Sequence, residues 1–185
     1  MAKMRDNNAT HGIRGKVNQF VYRQRFGETV VSKPPVFSGT FTENQKAVHA
    51  TFKRASVYAR YILADEAMRT AYKAKAPRGR SPFNMAVKDF FLAPEIVEVN
   101  LQAIGNSPGG TIRAIVTDDF RVQQVQVSIK AADGSIIESG LAIQQSDGLS
   151  WVYTTTANGA GAAGNVVTIT AADVPGNSIV DEITI

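Results

Sequence analysis

The 185-residue chain contains no cysteine. This excludes disulfide frameworks, thiolate metal sites and cysteine nucleophiles, and leaves packing alone to hold the fold. Histidine is nearly as scarce: His11 and His49 are the only two. They lie in segments too unlike to share a zinc ion, and neither has a serine motif nearby that would make it the base of a nucleophilic pair. No run of about eighteen apolar residues occurs, the longest candidates being broken by Asp89, Pro94 and Glu95, so no membrane-spanning helix is expected. The opening "MAKMRDNNATHG" has no apolar segment behind its charges. That reads as cytoplasmic synthesis without an export address, with the compartment finally occupied unknown and a released particle or assembly compatible with it.

Charge of one sign is scarce in each half. Residues 1–90 hold 17 Lys and Arg against 6 Asp and Glu, a net +11, whereas residues 91–185 hold 3 against 10, a net −7. Together these hide inside a total of only +4. The asymmetry marks a boundary near Pro94 and predicts two modules, a basic one over 1–94 and an acidic one over 95–185.

In the basic half, Val17 to Arg25 and Thr29 to Lys33 are β-rich runs separated by Phe26-Gly27-Glu28, which predicts a hairpin ended by Pro34 and Pro35. Phe20 and Tyr22 are expected on one face, with Val17 and Val21 on the other. Thr42 followed by Gln45 is a capping-box pair, so a helix should begin near Glu43 and run to about Ala64 on a stripe of Val48, Phe52, Ala55, Ala59, Ile62 and Leu63. Asp65 caps a second helix carrying Ala67, Met68, Ala71 and Tyr72 inward, and Ser81-Pro82 opens a third that reaches Leu92 before Pro94 stops it.

Beyond Ile96 the period changes to that of strands. Seven are predicted, Ile96–Leu101, Thr111–Thr117, Val122–Lys130, Ser135–Ile143, Ser150–Thr155, Val166–Ala171 and Ser178–Ile185, with Gly, Asp and Pro turns between them. The segment Val116-Thr117-Asp118-Asp119-Phe120-Arg121-Val122, with the later "ADG", "WVYT" and "AADVPGN", resembles bacterial immunoglobulin-like domains over roughly half of the chain. The resemblance implies an antiparallel β-sandwich and is silent on activity. The antibody cysteine pair is absent, and Trp151 comes later than the usual strand-C tryptophan. The N-terminal half resembles hairpin-and-helix segments of uncharacterised bacterial proteins. The fold class is therefore α+β: a β-hairpin with three α-helices, then an all-β immunoglobulin-like sandwich.

Several motifs point to chemistry. Gly159, Gly161 and Gly164 match the spacing of a dinucleotide loop, but they lead into the strand at Val166 rather than a helix, so no helix N-terminus waits for a pyrophosphate and a flexible interstrand loop is expected instead. Asp118, Asp119, Asp173 and Asn177 fall in loops that an immunoglobulin-like order gathers at one end. They are candidate calcium ligands, with Asx turns the plainer alternative. No catalytic constellation is found, so the expectation is a non-enzyme without cofactor or small-molecule substrate.

The basic half carries the functional expectation. Arg14, Lys16, Phe20, Tyr22, Arg23 and Arg25, joined by Arg5 and Phe26, and the loop of Lys73, Lys75, Arg78 and Arg80 form a candidate interaction surface. One reading is a structural or adhesive subunit, phage-like or filament-like, that self-assembles or docks with other protein subunits, its basic module meeting an acidic module of the next, with Asp118, Asp119 and Asp173 as counterparts. The alternative reading is nucleic-acid binding, cations on phosphates and aromatics on bases.

Overall fold

A computed structural model describes residues 2–3, 12–25, 27–36 and 39–185. Arg5, His11 and Phe26 lie outside the described residues. By its internal contacts the chain divides into two compact units, residues 1–49 and 50–185, with the boundary inside the first helix. The change of charge and period near Pro94 therefore marks a change of element type, and most of the helical residues share a unit with the sandwich. Counted by these units, residues 1–49 carry 8 Lys and Arg against 3 Asp and Glu, net +5, and residues 50–185 carry 12 against 13, net −1.

The first unit holds a four-stranded antiparallel sheet in the order β1-β4-β3-β2, formed by β1 (Ala2–Lys3), β2 (Gly15–Val17), β3 (Phe20–Arg25) and β4 (Glu28–Ser32). The single run expected over Val17 to Arg25 breaks at Asn18, which takes a positive φ of 52° and turns the chain back on itself. Asn accepts that conformation where a β-branched residue would not. Val17 consequently pairs with Phe20 across the strands and shares its face, instead of facing away from it.

Helix α1 (Glu43–Ile62) starts on the predicted capping box: the Thr42 amide donates to Gln45 Oε1 at 2.9 Å and the Gln45 amide to Thr42 Oγ1 at 3.3 Å. Asp65 Oδ1 accepts from the amides of Ala67 and Met68 at the head of α2 (Glu66–Lys75), and Ser81 Oγ from Asn84 at the head of α3 (Pro82–Phe91). Such caps contribute about 1 kcal/mol each. On α1 only Ala55 and Ala59 of the predicted stripe are buried, and Val48 and Phe52 are exposed.

In the second unit two four-stranded antiparallel sheets face each other. One has the order β5-β6-β10-β9, from β5 (Glu95–Ala103), β6 (Thr111–Thr117), β10 (Ser150–Thr154) and β9 (Ile143–Gln144). The other has the order β12-β11-β7-β8, from β12 (Ser178–Thr184), β11 (Val166–Asp173), β7 (Val122–Lys130) and β8 (Ile136–Leu141). Alternation buries Ile112, Ala114, Val116, Trp151 and Tyr153 from the first against Val125, Val127, Ile129, Val167, Ile169 and Ala171 from the second, so the fold is a β-sandwich. The strand expected over Ser135 to Ile143 divides at buried Ala142, whose amide donates to Val125 O, and the chain crosses from one sheet to the other there. A second core joins the helices to the sandwich: Ala59, Tyr72, Met85 and Ala86 close around Phe120, which projects from the β6–β7 turn and stacks on Tyr72 at a centroid distance of 3.7 Å. Among the described residues no helix is long and apolar enough to cross a membrane.

Candidate functional site

The strand register sorts the side chains of the first unit. Val17 pairs with Phe20, Gly15 with Tyr22 and Tyr22 with Val31, so Val17, Phe20, Tyr22 and Val31 share one face. Lys16 pairs with Val21, Arg23 with Val30 and Arg25 with Glu28, which puts Lys16, Arg23 and Arg25 on the opposite face. The aromatic and cationic residues expected to interleave are thus on opposite sides of a sheet. Arg14, Lys16, Arg23 and Arg25 are exposed, and Phe20 and Tyr22 are half-buried. Val30 is the one buried hydrophobic residue of this unit among those described.

Lys73 and Lys75 occupy the last turn of α2, where cations complement the helix dipole, and Arg78 and Arg80 follow in the turn through Gly79; all four are exposed. They belong to the second unit and the hairpin residues to the first, so the predicted surface is divided between two bodies.

The expected acidic counterparts are engaged within the chain instead. Asp119 Oδ1 takes the Lys88 ammonium at 2.5 Å. Asp118 Oδ2 accepts the amides of Phe120 at 3.0 Å and Arg121 at 2.8 Å, an Asx turn that fixes the projection of Phe120. Asp173 is buried at the end of β11, and its Oδ1 accepts the amides of Gly176 and Asn177 at 2.8 and 2.6 Å. None of the three is a free surface acid. Exposed acids lie elsewhere, among them Glu95 and Glu98 on β5 and Glu182, with half-buried Asp181, on β12, the edge strands of the two sheets. The two edges flank a groove lined by Glu95, Ile96, Ile179, Val180 and Asp181.

A residue outside the expected set completes an acidic cluster. Asp89, on the buried face of α3 with Met85 and Ala86, is 1% exposed. One oxygen each of Asp89, Asp118 and Asp173 lies within 4.8 Å of the others. Asp89 Oδ2 accepts the Tyr72 hydroxyl at 2.6 Å, and Tyr72 shares a second hydrogen bond with Tyr58 at 3.0 Å. Asp89 Oδ1 and Asp118 Oδ1 are buried and accept no hydrogen bond from any described residue. Burial raises the Asp89 carboxyl to about 7, Tyr72 partly offsetting it and the neighbouring carboxylates of Asp118, Asp173 and Asp119 adding to it. Burial raises Asp173 as well, opposed by its hydrogen bonds from Asn177 and Gly176. Tyr58 is pushed up to about 12, again chiefly by burial.

Of the four calcium candidates, then, the fold gathers Asp118 and Asp173, commits Asp119 to Lys88, and gives Asn177 a different task. The Asn177 amide nitrogen donates to Asp173 Oδ2 at 2.7 Å and is shared with the Asp89, Phe90 and Leu92 carbonyls at the end of α3. It is a donor that ties helix to sandwich. In the sequence Asp89 stands out only as a break in an apolar run, although a carboxylate three and four residues beyond the apolar Ala86 and Met85 is a signal of buried charge.

The glycine loop has its own explanation. It enters β11, as expected, but it is pinned: the Gly161 amide donates to Gly105 O, the Gly159 amide to Asn106 O, and Asn165 Nδ2 to the carbonyls of Gly159 and Ala160. A Cβ at Gly161 would sit 2.8 Å from the Gly105 carbonyl carbon. Glycine there permits two backbones to touch.

No family model matches the chain, and no curated protein matches it. Among solved structures it is similar to CopC from Methylosinus trichosporium OB3b, at 18% identity and a TM-score of 0.37 over 48% of this chain and 87% of that one. It is also similar to an engineered protein, at 21% identity and a TM-score of 0.35 over 49% of this chain and 20% of that one.

Proposed function

We propose that the chain is a non-enzymatic structural or adhesive subunit that self-assembles, its basic N-terminal sheet docking on the acidic sandwich edges of a second copy. One observation carries this reading. A four-stranded sheet in which Val30 alone is buried among the described residues, with Val17 exposed, has too little core to persist uncovered in water. Some other surface must remove it from solvent.

Charge selects that surface. Strands β5 and β12 carry Glu95, Glu98, Asp181 and Glu182 and no Lys or Arg, and they expose Val97 and Val180 as well. An acidic surface with apolar side chains complements a sheet face on which Lys16, Arg23 and Arg25 stand among Val21 and Val30. The register shifts in β5 and its two glutamates protect that edge against strand addition, so docking is through side chains. The contact is heterologous, joining different patches on the two copies, and generates rings or filaments.

The immunoglobulin-like reading of the sandwich belongs here too. The two strand orders support that reading when they are lettered A, B, E, D and G, F, C, C′, so that β9 is taken as D and β8 as C′. Trp151 then lies on strand E, away from the antibody position.

Multi-angle light scattering on nuclease-treated protein tests the proposal. The unaltered chain is expected as a large species that dissociates as salt rises, and Arg23→Glu with Arg25→Glu as a monomer. A monomeric unaltered chain that binds nucleic acid with steep salt dependence would instead favour the alternative reading, which is less well supported because the aromatic and cationic side chains do not share a face.

A further inference from the structure

We propose that Asp89, Asp118 and Asp173 are the protein ligands of a buried site for a hard divalent cation of the calcium class. The geometry admits it. Two oxygens on one calcium ion at about 2.4 Å each are at most about 4.8 Å apart, and the three carboxylates bring oxygens within that separation of one another.

The independent sign of a ligand is the orphaned oxygens, Asp89 Oδ1 and Asp118 Oδ1, with Asp119 Oδ2 buried and unpaired beside them. Asp89 is 1% exposed, and Tyr72 holds its Oδ2, so Oδ1 is fixed in place without an acceptor's usual partner. Asp118 is in the same condition: its Oδ2 is taken by the Phe120 and Arg121 amides and its Oδ1 is left buried and unpaired. Buried acceptors are nearly always satisfied, and a charged one left bare is costly. No described cationic side chain serves them. Lys88 reaches Asp119, and the Arg121 guanidinium lies over the Phe120 ring.

Chemistry narrows the ion. An all-oxygen, all-carboxylate set suits calcium, magnesium or manganese rather than zinc or copper, which prefer nitrogen and sulfur. Calcium accepts the irregular arrangement that ligands from a helix, a turn and a strand end provide, whereas magnesium demands a near-ideal octahedron. A cleft lined by Leu92, Ala93, Glu95, Thr117, Asp118 and Asp119 opens beside Asp118 and admits the waters that complete the shell. The ion would clamp α3 to the β6–β7 turn and to β11, the three segments from which its ligands come.

The full chain, dialysed against EDTA and then against buffer without chelator, is titrated with calcium chloride by calorimetry, with magnesium chloride in parallel. One calcium per chain with an upward shift in Tm is expected, magnesium binding at least tenfold more weakly. Asp118→Asn retains an oxygen for the Asx turn and should weaken calcium at least tenfold, as should Asp89→Asn. The exposed Glu66→Gln, on α2 and outside that cleft, should leave binding unchanged. Retention of the Trp151 emission maximum verifies that each variant is folded. Terbium luminescence sensitised by the nearby tyrosines, lost in Asp118→Asn, locates the ion. No calcium heat and no shift in Tm, or equal affinity in all the folded variants, would overturn the proposal.

Discussion

Truncation of Phe120 to Ala is the sharpest probe of how the second unit is held together. Phe120 is 5% exposed although it lies in a turn, because it leaves the sandwich and enters the helix layer, stacked on Tyr72 and packed with Ala59, Met85 and Ala86. Removing a buried phenyl ring loses its transfer free energy and leaves a cavity that the rigid sandwich end cannot collapse, together about 3–5 kcal/mol. The loss falls at the joint between helices and sandwich, so it should uncouple them as well as destabilise them. Urea unfolding followed by the helical circular-dichroism signal and by Trp151 fluorescence measures both effects. In the unaltered protein the transitions attributable to residues 50–185 should coincide, while in Phe120→Ala the helical signal should be lost at lower urea than the Trp151 signal. A cost below about 1 kcal/mol, or separate transitions in the unaltered protein, would refute the reasoning and place the boundary near Pro94 after all.

Further consequences follow from the same contacts. In chelator, the raised Asp89 carboxyl, faced by Asp118, Asp173, Asp119 with its Lys88, Tyr72 and Tyr58, makes folding favour its protonated form. Its contribution to stability is full below its ordinary value of 3.8 and lost as pH rises to about 7. Asp89→Asn should therefore flatten the pH dependence of urea midpoints between about pH 4 and 8 and be the more stable protein at pH 8, and an unchanged slope would contradict this. Gly161→Ala forces a methyl group against the Gly105 backbone and should cost about 1–3 kcal/mol in thermal or urea unfolding, with Ala163, exposed in the same loop, tolerating Ser within about 0.5 kcal/mol. Glu138 Oε2 accepts from Thr156 at its amide and hydroxyl and from the Tyr153 hydroxyl, so Glu138→Ala should speed amide exchange over residues 154–157 while sparing β7.

Legibility of the sequence followed the range of the interactions involved. Helix starts at Thr42, Asp65 and Ser81 were readable because a cap is settled within four residues, and the strands from β5 to β12 because alternation is local. The break at Asn18 and the change of sheet at Ala142 were not, since each depends on which strand lies alongside. Phe120 looked like part of a turn, and its burial in a helix layer is a long-range fact. For the acidic cluster the sequence supplied two members, Asp118 and Asp173, through their loops. It hid Asp89, whose place on the buried face of α3 gains meaning only when Tyr72 and the β6–β7 turn arrive beside it. The charge asymmetry was real along the chain but did not coincide with the compact units, and the exposed acids lie on the helices and turns as well as on β5 and β12.

The central claim is that one copy's cations meet another copy's acids, and mixing complementary variants tests it most directly. Arg23→Gln with Arg25→Gln neutralises the cationic face, and Glu98→Gln with Glu182→Gln neutralises the acidic edge, yet each retains the surface the other lacks. Mass measured by light scattering should be that of a monomer for each variant alone and of a one-to-one heterodimer for the mixture, since the two intact surfaces can then form a single contact. Monomers in the mixture, or an unaltered chain that is itself monomeric at high concentration and low salt, would contradict the account.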